Sequence, residues 1–462
     1  MVYLRRAPMK INRPWIASAA SLLCMLLASC TMAPAAATPQ PTQAATPPPA
    51  STSAPTPTAG TSAPVTLRVA WWGSKNRHDR TLQVIDLFEK AHPNVTVVPV
   101  YVDFKDYWDL LGKQEAEGTT IDVIQQDYSR IGEWVSKGKL LSLNRYVSEK
   151  DIHLDGVADE QLAGGRIGDQ MYGISLGTNA ITLLYDPAQF KAAGVAEPTA
   201  DWTWDDFKQA ATTLHDKLGI YGVEQISNLD VLKIYLKEHG KWPYNDQRTG
   251  LGYTDDRLAS SFFQLLVDLD ASGAMAPLET DSSRGGLALE ESLIVNNKAA
   301  MKMLWSNQAV ALSAANPEHQ LALVQTPRVA EGSEGLFLKP SMFFSISSKT
   351  QHPDAAALFI DFFINSPEAN TILAAERGVP IIPAVRKAIK PNLLPMQQEV
   401  FRYIGEVETV ASPLNPPDPT SFAKISAEIY DPLINQLLSG QITADEAAAQ
   451  LRAQLTAILQ EK

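Results

Sequence analysis

One segment of the chain matches a catalytic motif. Residues 173–177 read G-I-S-L-G, which fits the G-x-S-x-G pattern of the nucleophile elbow in α/β-hydrolases. The elbow places its serine on a sharp turn between a strand and a helix. Residues 178–185, TNAITLLY, are instead rich in β-branched side chains and predict a strand where the helix is required. We therefore interpret the match at Ser175 as coincidental.

The other residue types that carry catalysis or bind metals form no recognisable motif. The sequence has no Walker loop and no H-E-x-x-H, and its 7 histidines are scattered without metal-ligand spacing. The 51 acidic residues supply many carboxylate pairs, but nothing in the sequence favours one pair as a glycosidase dyad. We therefore predict no catalytic residue, no metal site and no cofactor, and a protein that is not an enzyme.

Aromatic residues stand beside small polar residues at several places along the chain. Aromatic rings stack on the apolar face of a pyranose, and polar side chains satisfy its hydroxyl groups. Three of these places follow predicted strands, where open α/β sheets bind their ligands, and the fourth lies in a polar loop bounded by glycines. The candidate ligand contacts from this pattern are Trp72 with Ser74, Asp127 with Tyr128, Trp242 with Tyr244, and Trp305 with Asn307.

A tryptophan can equally be a packing anchor in a hydrophobic core. We assign that role to Trp204, because it stands at a predicted helix start beside a capping box formed by Thr203 and Asp206. For Trp72, Trp242 and Trp305 the ligand interpretation and the core interpretation both stay open. Their roles can be separated only by knowing which rings face a cavity.

The elements that would position these residues alternate between strand and helix. Residues 65–71 alternate in polarity as a strand does, residues 82–88 have helical spacing, and residues 95–101 predict a second strand. Such alternation is typical of parallel βαβ units in an α/β fold. Further predicted strands cover residues 121–124, 300–304 and 341–347, and further predicted helices begin near residues 104, 203, 258, 367 and 444.

The N-terminus has the composition of a secretory signal. Four basic residues precede an uncharged run at residues 15–29, which is too short to span a bilayer as a stable helix. The run leads into L-A-S-C at residues 27–30, which resembles the bacterial lipobox, where the cysteine is lipidated. We predict a signal peptide at residues 1–29 and an extracytoplasmic, membrane-anchored protein lipidated at Cys30. A plain signal peptide is the alternative.

A long segment of low complexity follows the predicted anchor. Residues 30–64 are mostly Pro, Ala, Thr and Ser and include no charged residue. Such a composition cannot bury a core, and it predicts an extended tether that reaches about 100 Å at ~3.1 Å per residue. The mature chain would keep only Cys30 of its 2 cysteines, so we expect no internal disulfide.

The length and net charge of the chain limit its possible architecture and partners. A chain of 462 residues is long for one compact domain and suits two lobes with separate cores. Its formal net charge of −12 repels phosphate backbones, and removing the basic residues of the signal makes it more negative still. We therefore exclude nucleic acid as a partner, and we expect the chain to act as a monomer.

Several short segments, in order, resemble the family 1 extracellular solute-binding proteins of ABC importers, to which maltose-binding protein belongs. Residues 121–127, IDVIQQD, resemble the family's PDIIQMD, and residues 172–179, YGISLGTN, resemble YGIPLGTN. Residues 297–301, NKAAM, resemble GKAAM. Ile121, Ser175 and Asn297 depart from these patterns. Further resembling segments lie at residues 69–74, 88–97, 354–362 and 377–380.

The resemblance implies an α/β, two-lobed periplasmic-binding-protein-like fold that closes on a ligand in the cleft between its lobes. Lobe 1 would comprise residues 65–177 and about 340–391, and lobe 2 residues 178–339 and about 392–462. By position it adds Arg77 and Asn179 to the candidate ligand contacts. It implies a receptor that binds a sugar or oligosaccharide and delivers it to an ABC permease.

Two alternatives stay open at this point. The first is a secreted, lipid-anchored carbohydrate-active hydrolase, against which the missing catalytic motif counts. The second keeps the fold and changes the ligand to a polyamine, a metal chelate or a peptide. The aromatic residues of the predicted cleft, without a His/Tyr/carboxylate cluster, count against a metal chelate.

Overall fold

The computed structural model describes residues 63–281 and 287–460. The predicted signal at residues 1–29, the lipidation site at Cys30 and all but the last two residues of the tether lie outside the described residues. The strands are β1 (Val65–Trp72), β2 (Val95–Val102), β3 (Val123–Gln126), β4 (Arg166–Ile167), β5 (Gln170–Met171), β6 (Ile174–Ser175), β7 (Thr178–Asn179), β8 (Ile181–Tyr185), β9 (Met301–Trp305), β10 (Ala322–Val324), β11 (Lys339–Pro340) and β12 (Phe343–Ile346).

Helices make up most of the remaining structure, and in the described part of the chain none is both long and apolar enough to cross a membrane. The α-helices are α1 (Lys75–Ala91), α2 (Phe104–Ala116), α3 (Ile131–Ser136), α4 (Asn144–Ser148), α5 (Asp159–Ala163), α6 (Pro187–Ala193), α7 (Trp204–Leu218), α8 (Leu229–Glu238), α9 (Arg257–Ala271), α10 (Gln308–Ala315), α11 (Pro353–Asn365), α12 (Pro367–Leu373), α13 (Pro383–Ile389), α14 (Pro395–Val407), α15 (Phe422–Lys424), α16 (Asp431–Leu438) and α17 (Ala444–Gln460). Short 3-10 turns cover Leu278–Thr280, Leu289–Glu291 and Lys390–Asn392, and a π-helix covers Ile425–Tyr430.

The first sheet has the strand order β2-β1-β3-β12-β6. Strand β1 pairs in parallel with β2 and with β3, so the predicted parallel βαβ units are confirmed. Strand β12 runs antiparallel to β3 and to β6, which brings a late segment of the chain into the sheet built by its first part. All four residues of β3 are buried, as expected for a central strand covered by helices on both faces.

The second sheet is antiparallel, with the order β10-β8-β9. Its side chains point alternately to opposite faces. Leu183 and Met303 belong to one hydrophobic core, with Phe207. Their neighbours Leu184 and Leu304 belong to the other core, which surrounds the first sheet. The second sheet is therefore covered on both faces and connects the two cores.

The predicted helix starts near residues 203, 367 and 444 are confirmed. The hydroxyl oxygen of Thr203 accepts from the Asp206 backbone N–H at 3.1 Å, and the Asp206 carboxylate accepts from the Thr203 backbone N–H at 2.9 Å. Ser366 and Thr443 cap α12 and α17 through their hydroxyl oxygens. Asp103 also precedes a helix, but its side chain makes no capping hydrogen bond.

Candidate ligand-binding site

The hydrolase-like motif does not form a nucleophile elbow. Ser175 lies in β6 and is only 1% exposed. Its hydroxyl donates a hydrogen bond to the carbonyl oxygen of Gly177 at 2.8 Å. The chain continues into β7 and β8 where the elbow requires a helix. Ser175 is therefore neither presented to a substrate nor placed beside a base.

Three of the predicted ligand residues meet at one small cavity of about 40 Å³, which we call the aromatic cavity. Each comes from a different part of the fold: Tyr128 follows β3, Trp242 follows α8, and Trp305 is the last residue of β9. The full lining consists of Tyr128, Asp230, Lys233, Trp242, Trp305, Phe337, Lys339, Leu414, Asn415, Pro416, Pro417 and Asp418.

The ring of Trp305 is held by three groups. Its Nε1 donates a hydrogen bond to Oδ2 of Asp230 at 3.1 Å. The Phe337 ring meets it edge-on, with centroids 6.3 Å apart. The Lys339 ammonium lies 4.6 Å from the ring centroid, a cation–π geometry. These three contacts fix the orientation of the Trp305 ring. The indole is partly exposed at the cavity.

A network of ion pairs lies behind Trp305. Nζ of Lys233 contacts Asp230 at 3.1 Å and Asp418 at 2.8 Å. Burial raises the pKa of Asp230, but Lys233 and Lys339 outweigh it and hold that pKa below its usual range. Burial likewise lowers the pKa of Lys233, but the two carboxylates outweigh it and raise the pKa. Asp230 and Lys233 are therefore both charged at neutral pH.

The segment at residues 413–418 covers the cavity and is held from both sides. The hydroxyl of Tyr128 donates to the carbonyl oxygen of Asn415 at 2.6 Å. From α8, Nζ of Lys237 donates to the carbonyl oxygen of Pro413 at 2.6 Å and to the Asn415 side chain. Burial raises the pKa of Tyr128 well above its usual range, so this hydroxyl keeps its proton.

Two buried donors near the cavity have no hydrogen-bond partner within the described ranges. They are Nε1 of Trp242 and the hydroxyl of Tyr244, both from the predicted aromatic loop. The Trp242 ring packs edge-on against Phe337, with centroids 5.8 Å apart. An unsatisfied buried donor costs about 1–3 kcal/mol. A ligand hydroxyl or carboxylate that accepted from Trp242 would remove that cost.

A larger cavity of about 400 Å³ shares Asp230 and Trp305 with the aromatic cavity. A volume of about 40 Å³ has room for only a few water molecules, whereas 400 Å³ is in the range of small-molecule sites. The larger cavity offers many polar side chains: Gln225, Asn228, Asp230, Asp281, Lys302, Gln308, Ser426 and Asp431. The two cavities together can take a polar ligand with a flat apolar face against Trp305.

The comparisons with known proteins agree with this architecture. The sequence model of the family "Bacterial extracellular solute-binding protein" matches residues 83–399. This chain belongs to that family. As a bacterial extracellular solute-binding protein, it has an extracytoplasmic location, and the family predicted from the sequence is confirmed.

Solved structures of other solute-binding proteins match almost the whole folded part. A family 1 extracellular solute-binding protein from Alicyclobacillus acidocaldarius is 27% identical with a TM-score of 0.77, covering 87% of this chain and 100% of that one. A periplasmic oligogalacturonide binding protein from Yersinia enterocolitica is 22% identical, with a TM-score of 0.70, covering 85% of this chain and 98% of that one. The GacH receptor of Streptomyces glaucescens is 18% identical, with a TM-score of 0.64, covering 87% and 100%. The predicted α/β periplasmic-binding-protein-like fold is therefore confirmed.

Trp72 of this solute-binding protein lies in an aromatic cluster. It is 6% exposed, and its ring centroid lies 5.4 Å from Phe104, 5.1 Å from Tyr107 and 5.9 Å from Trp108. It lines neither the aromatic cavity nor the larger cavity. The spacing of α2 predicts a helix but not that three of its aromatic rings cover Trp72. Its part in ligand binding stays a prediction.

Three more predicted residues line neither of these two cavities. Nε of Arg77 donates to both carboxylate oxygens of Glu376, at 2.8 and 2.9 Å. Asp127 accepts from the backbone N–H and the hydroxyl of Ser129. Asn179 lies in β7, and its Oδ1 is buried without a hydrogen-bond partner in the part of the chain that the structure describes.

The last two, Ser74 and Asn307, are exposed residues at the starts of α1 and α10. Asn307 lines a separate cavity of about 350 Å³ together with Glu376. The ligand roles of Ser74 and Asn307, like those of Arg77, Asp127 and Asn179, stay predictions.

Sequence reasoning missed the charged residues of the site. Asp230 and Lys233 lie on α8, and the sequence held a signal for them. Helix α8 reads LDVLKIYLKE, and Lys233 and Lys237 stand among apolar residues on a buried helix. Charged side chains are seldom buried unless they are paired. Phe337, Lys339 and Asp418 carry no such local signal.

Proposed function

We propose that this solute-binding protein binds a sugar or oligosaccharide between two lobes and delivers it to an ABC permease. The observation that carries the proposal is Trp305, fixed by Asp230 at a cavity that also contains Tyr128 and Trp242. A pyranose would stack its apolar face on the indole. Its hydroxyls would pair with the polar residues of the larger cavity, so that no polar group is buried without a partner.

The ligands named for similar proteins support a saccharide. The Yersinia protein is named for oligogalacturonide, and the Streptomyces receptor was determined with acarbose. The lobes proposed here are residues 65–177 with about 340–391, and residues 178–339 with about 392–462. Closure of these lobes would enclose the ligand at the aromatic cavity, where Tyr128 of the first lobe meets Trp242 and Trp305 of the second.

We further propose that a lipid on Cys30 anchors the protein and that residues 30–64 tether it near the permease. The protein would act as a monomer without a cofactor, and it would release its ligand chemically unchanged. No residue of the site is assigned a catalytic role. The hydrolase alternative has no support at Ser175, whose hydroxyl is buried and bonded to Gly177.

Calorimetric titration against a panel of mono- and oligosaccharides tests this function. A ligand at ~100 times its Kd stabilises the folded state by roughly 2.7 kcal/mol, which raises the melting temperature. Chromatography of the sugar after incubation should recover it unchanged. Binding with consumption of the sugar would favour the hydrolase, and binding of no saccharide would contradict the proposal.

A further inference from the structure

The charges around the aromatic cavity do not balance. Two carboxylates line it, those of Asp230 and Asp418, and two ammonium groups line it, those of Lys233 and Lys339. A third ammonium, that of Lys237, lies directly behind the lining, bonded to Asn415. The aromatic cavity with Lys237 behind it therefore has three ammonium groups against two carboxylates, within a protein whose net charge is −12. The larger cavity adds two carboxylates, those of Asp281 and Asp431, and one ammonium, that of Lys302, so the excess of positive charge is confined to the aromatic cavity.

Lys237 is a buried cation whose partners are neutral. Its side chain is 8% exposed, and its hydrogen bonds go to a carbonyl oxygen and an amide oxygen. Its Nζ lies 5.2 Å from the Phe337 ring centroid and 5.5 Å from that of Trp242. Among the residues described, no carboxylate lies within 4.0 Å of it. Burying a charge without a counter-charge is unfavourable, and burial lowers the pKa of Lys237 to about 8.

Lys339 is the cation that a ligand can reach. Its side chain is exposed at the cavity, and Nζ lies 4.6 Å from the Trp305 ring centroid. Over the described ranges it forms no ion pair within 4.0 Å, whereas Lys233 is shared by two carboxylates. Because Lys339 covers one face of the indole, a saccharide stacked on the other face would reach it with a ring substituent that extends past the edge of the indole.

We propose that the saccharide carries a carboxylate, as a uronic acid does, and that this carboxylate pairs with Lys339 while neutralising the excess charge of Lys237. This inference rests on the proposed function, because it assumes that a sugar stacks on Trp305. A single negative charge matches the single excess positive charge.

The test compares acidic disaccharides with their uncharged forms. Purified protein is titrated calorimetrically with disaccharides of galacturonic and of glucuronic acid, each beside its carboxyl methyl ester and the corresponding neutral disaccharide. At least one acid should bind ten times or more as tightly as its ester, because a charge-assisted hydrogen bond contributes far more than a neutral one. In Lys339→Gln, that ratio should fall at least fivefold.

Two further variants sharpen the result. Lys237→Met should also reduce the ratio, and its melting temperature reports whether it folds. Lys349→Gln removes an exposed charge at a different cavity, beside Glu115, and should leave the ratio unchanged.

Equal or tighter binding of the esters or neutral sugars would overturn this inference and leave the proposed function standing. An acid preference that survives both lysine variants would overturn the assignment to Lys339 and Lys237. Binding of no saccharide would contradict both proposals.

Discussion

The indole Nε1 of Trp305 donates a hydrogen bond to Oδ2 of Asp230 at 3.1 Å. Both residues line the aromatic cavity and the larger cavity, so this bond stands where the two meet. Asp230 is in turn paired with Lys233, which also contacts Asp418 from the covering segment. The plane of the indole is thereby coupled to the segment that closes the cavity.

Replacing Asp230 by alanine should weaken saccharide binding roughly tenfold or more. Trp305 loses its acceptor and Lys233 loses one of its two carboxylates, and a hydrogen bond to a charged group contributes about 1.5–3 kcal/mol. Calorimetry measures the affinity. Asp79→Ala is the matched control, because Asp79 pairs with Lys75 on the surface and exposed pairs contribute little. Unchanged affinity in Asp230→Ala would remove this residue from the site.

Alanine substitution should separate Trp305 from Trp204 and Trp72. Trp204 is 6% exposed, and its Nε1 donates to Glu238 at 2.8 Å. Trp204→Ala and Trp72→Ala should each lower the free energy of unfolding by ~3–5 kcal/mol, as loss of a packed ring does. Trp305→Ala should mainly weaken binding, by ~2 kcal/mol or more. Denaturant unfolding and calorimetry on all three variants check this. If Trp72→Ala has the same free energy of unfolding as the wild type but binds the saccharide poorly, Trp72 is a ligand contact.

Stability should respond to pH through Glu238. Burial raises its pKa to about 8 from an ordinary value of 4.5. The folded state therefore binds a proton that the unfolded state releases between these values, and this contribution to stability falls as pH rises from 4.5 to 8. Glu238→Gln keeps an acceptor for Trp204 and for the Val329 backbone N–H without ionising. It should be more stable than the wild type at pH 8, by up to ~4 kcal/mol, and similar near pH 4.5.

Urea unfolding at several pH values measures this difference. The exposed Glu117→Gln serves as control and should match the wild type throughout. The free energy of unfolding of Glu238→Gln should differ from that of the wild type by an amount that depends on pH. If the difference is the same at every pH, ionisation of Glu238 is not its cause.

Membrane association should depend on one cysteine. Cys30→Ala removes the residue that the sequence predicts to be lipidated, so the protein should move from the membrane pellet to the soluble fraction. Cys24→Ala changes the other cysteine, inside the segment predicted to be removed, and should leave the distribution unchanged. Immunoblotting of the two fractions decides between them. A Cys30→Ala protein that pellets as before would disprove the lipid anchor.

The sequence alone determined features whose causes are local. The alternation at residues 65–71 and the helical spacing at residues 82–88 predict β1 and α1, because the period of apolar residues reflects which face is buried. The Thr203 capping box predicts the start of α7 and places Trp204 at its first turn. The order of family-like segments indicated the fold and the family. The aromatic residues that stand beside small polar residues indicated Tyr128, Trp242 and Trp305 as candidate ligand contacts.

Only the tertiary structure decided which candidates meet. Tyr128, Trp242 and Trp305 line one cavity because β3, the end of α8 and β9 converge there, and such convergence depends on contacts between residues far apart in sequence. Trp72 has the same sequence context as Trp305, at the end of a strand. The rings of α2 cover Trp72, whereas the Phe337 ring meets Trp305 only edge-on and leaves it partly exposed. The sequence likewise did not predict which charged residues line the site or which of them form ion pairs. Whether Lys233 is neutralised and Lys237 is not depends on distances to Asp230 and Asp418, which no local pattern encodes.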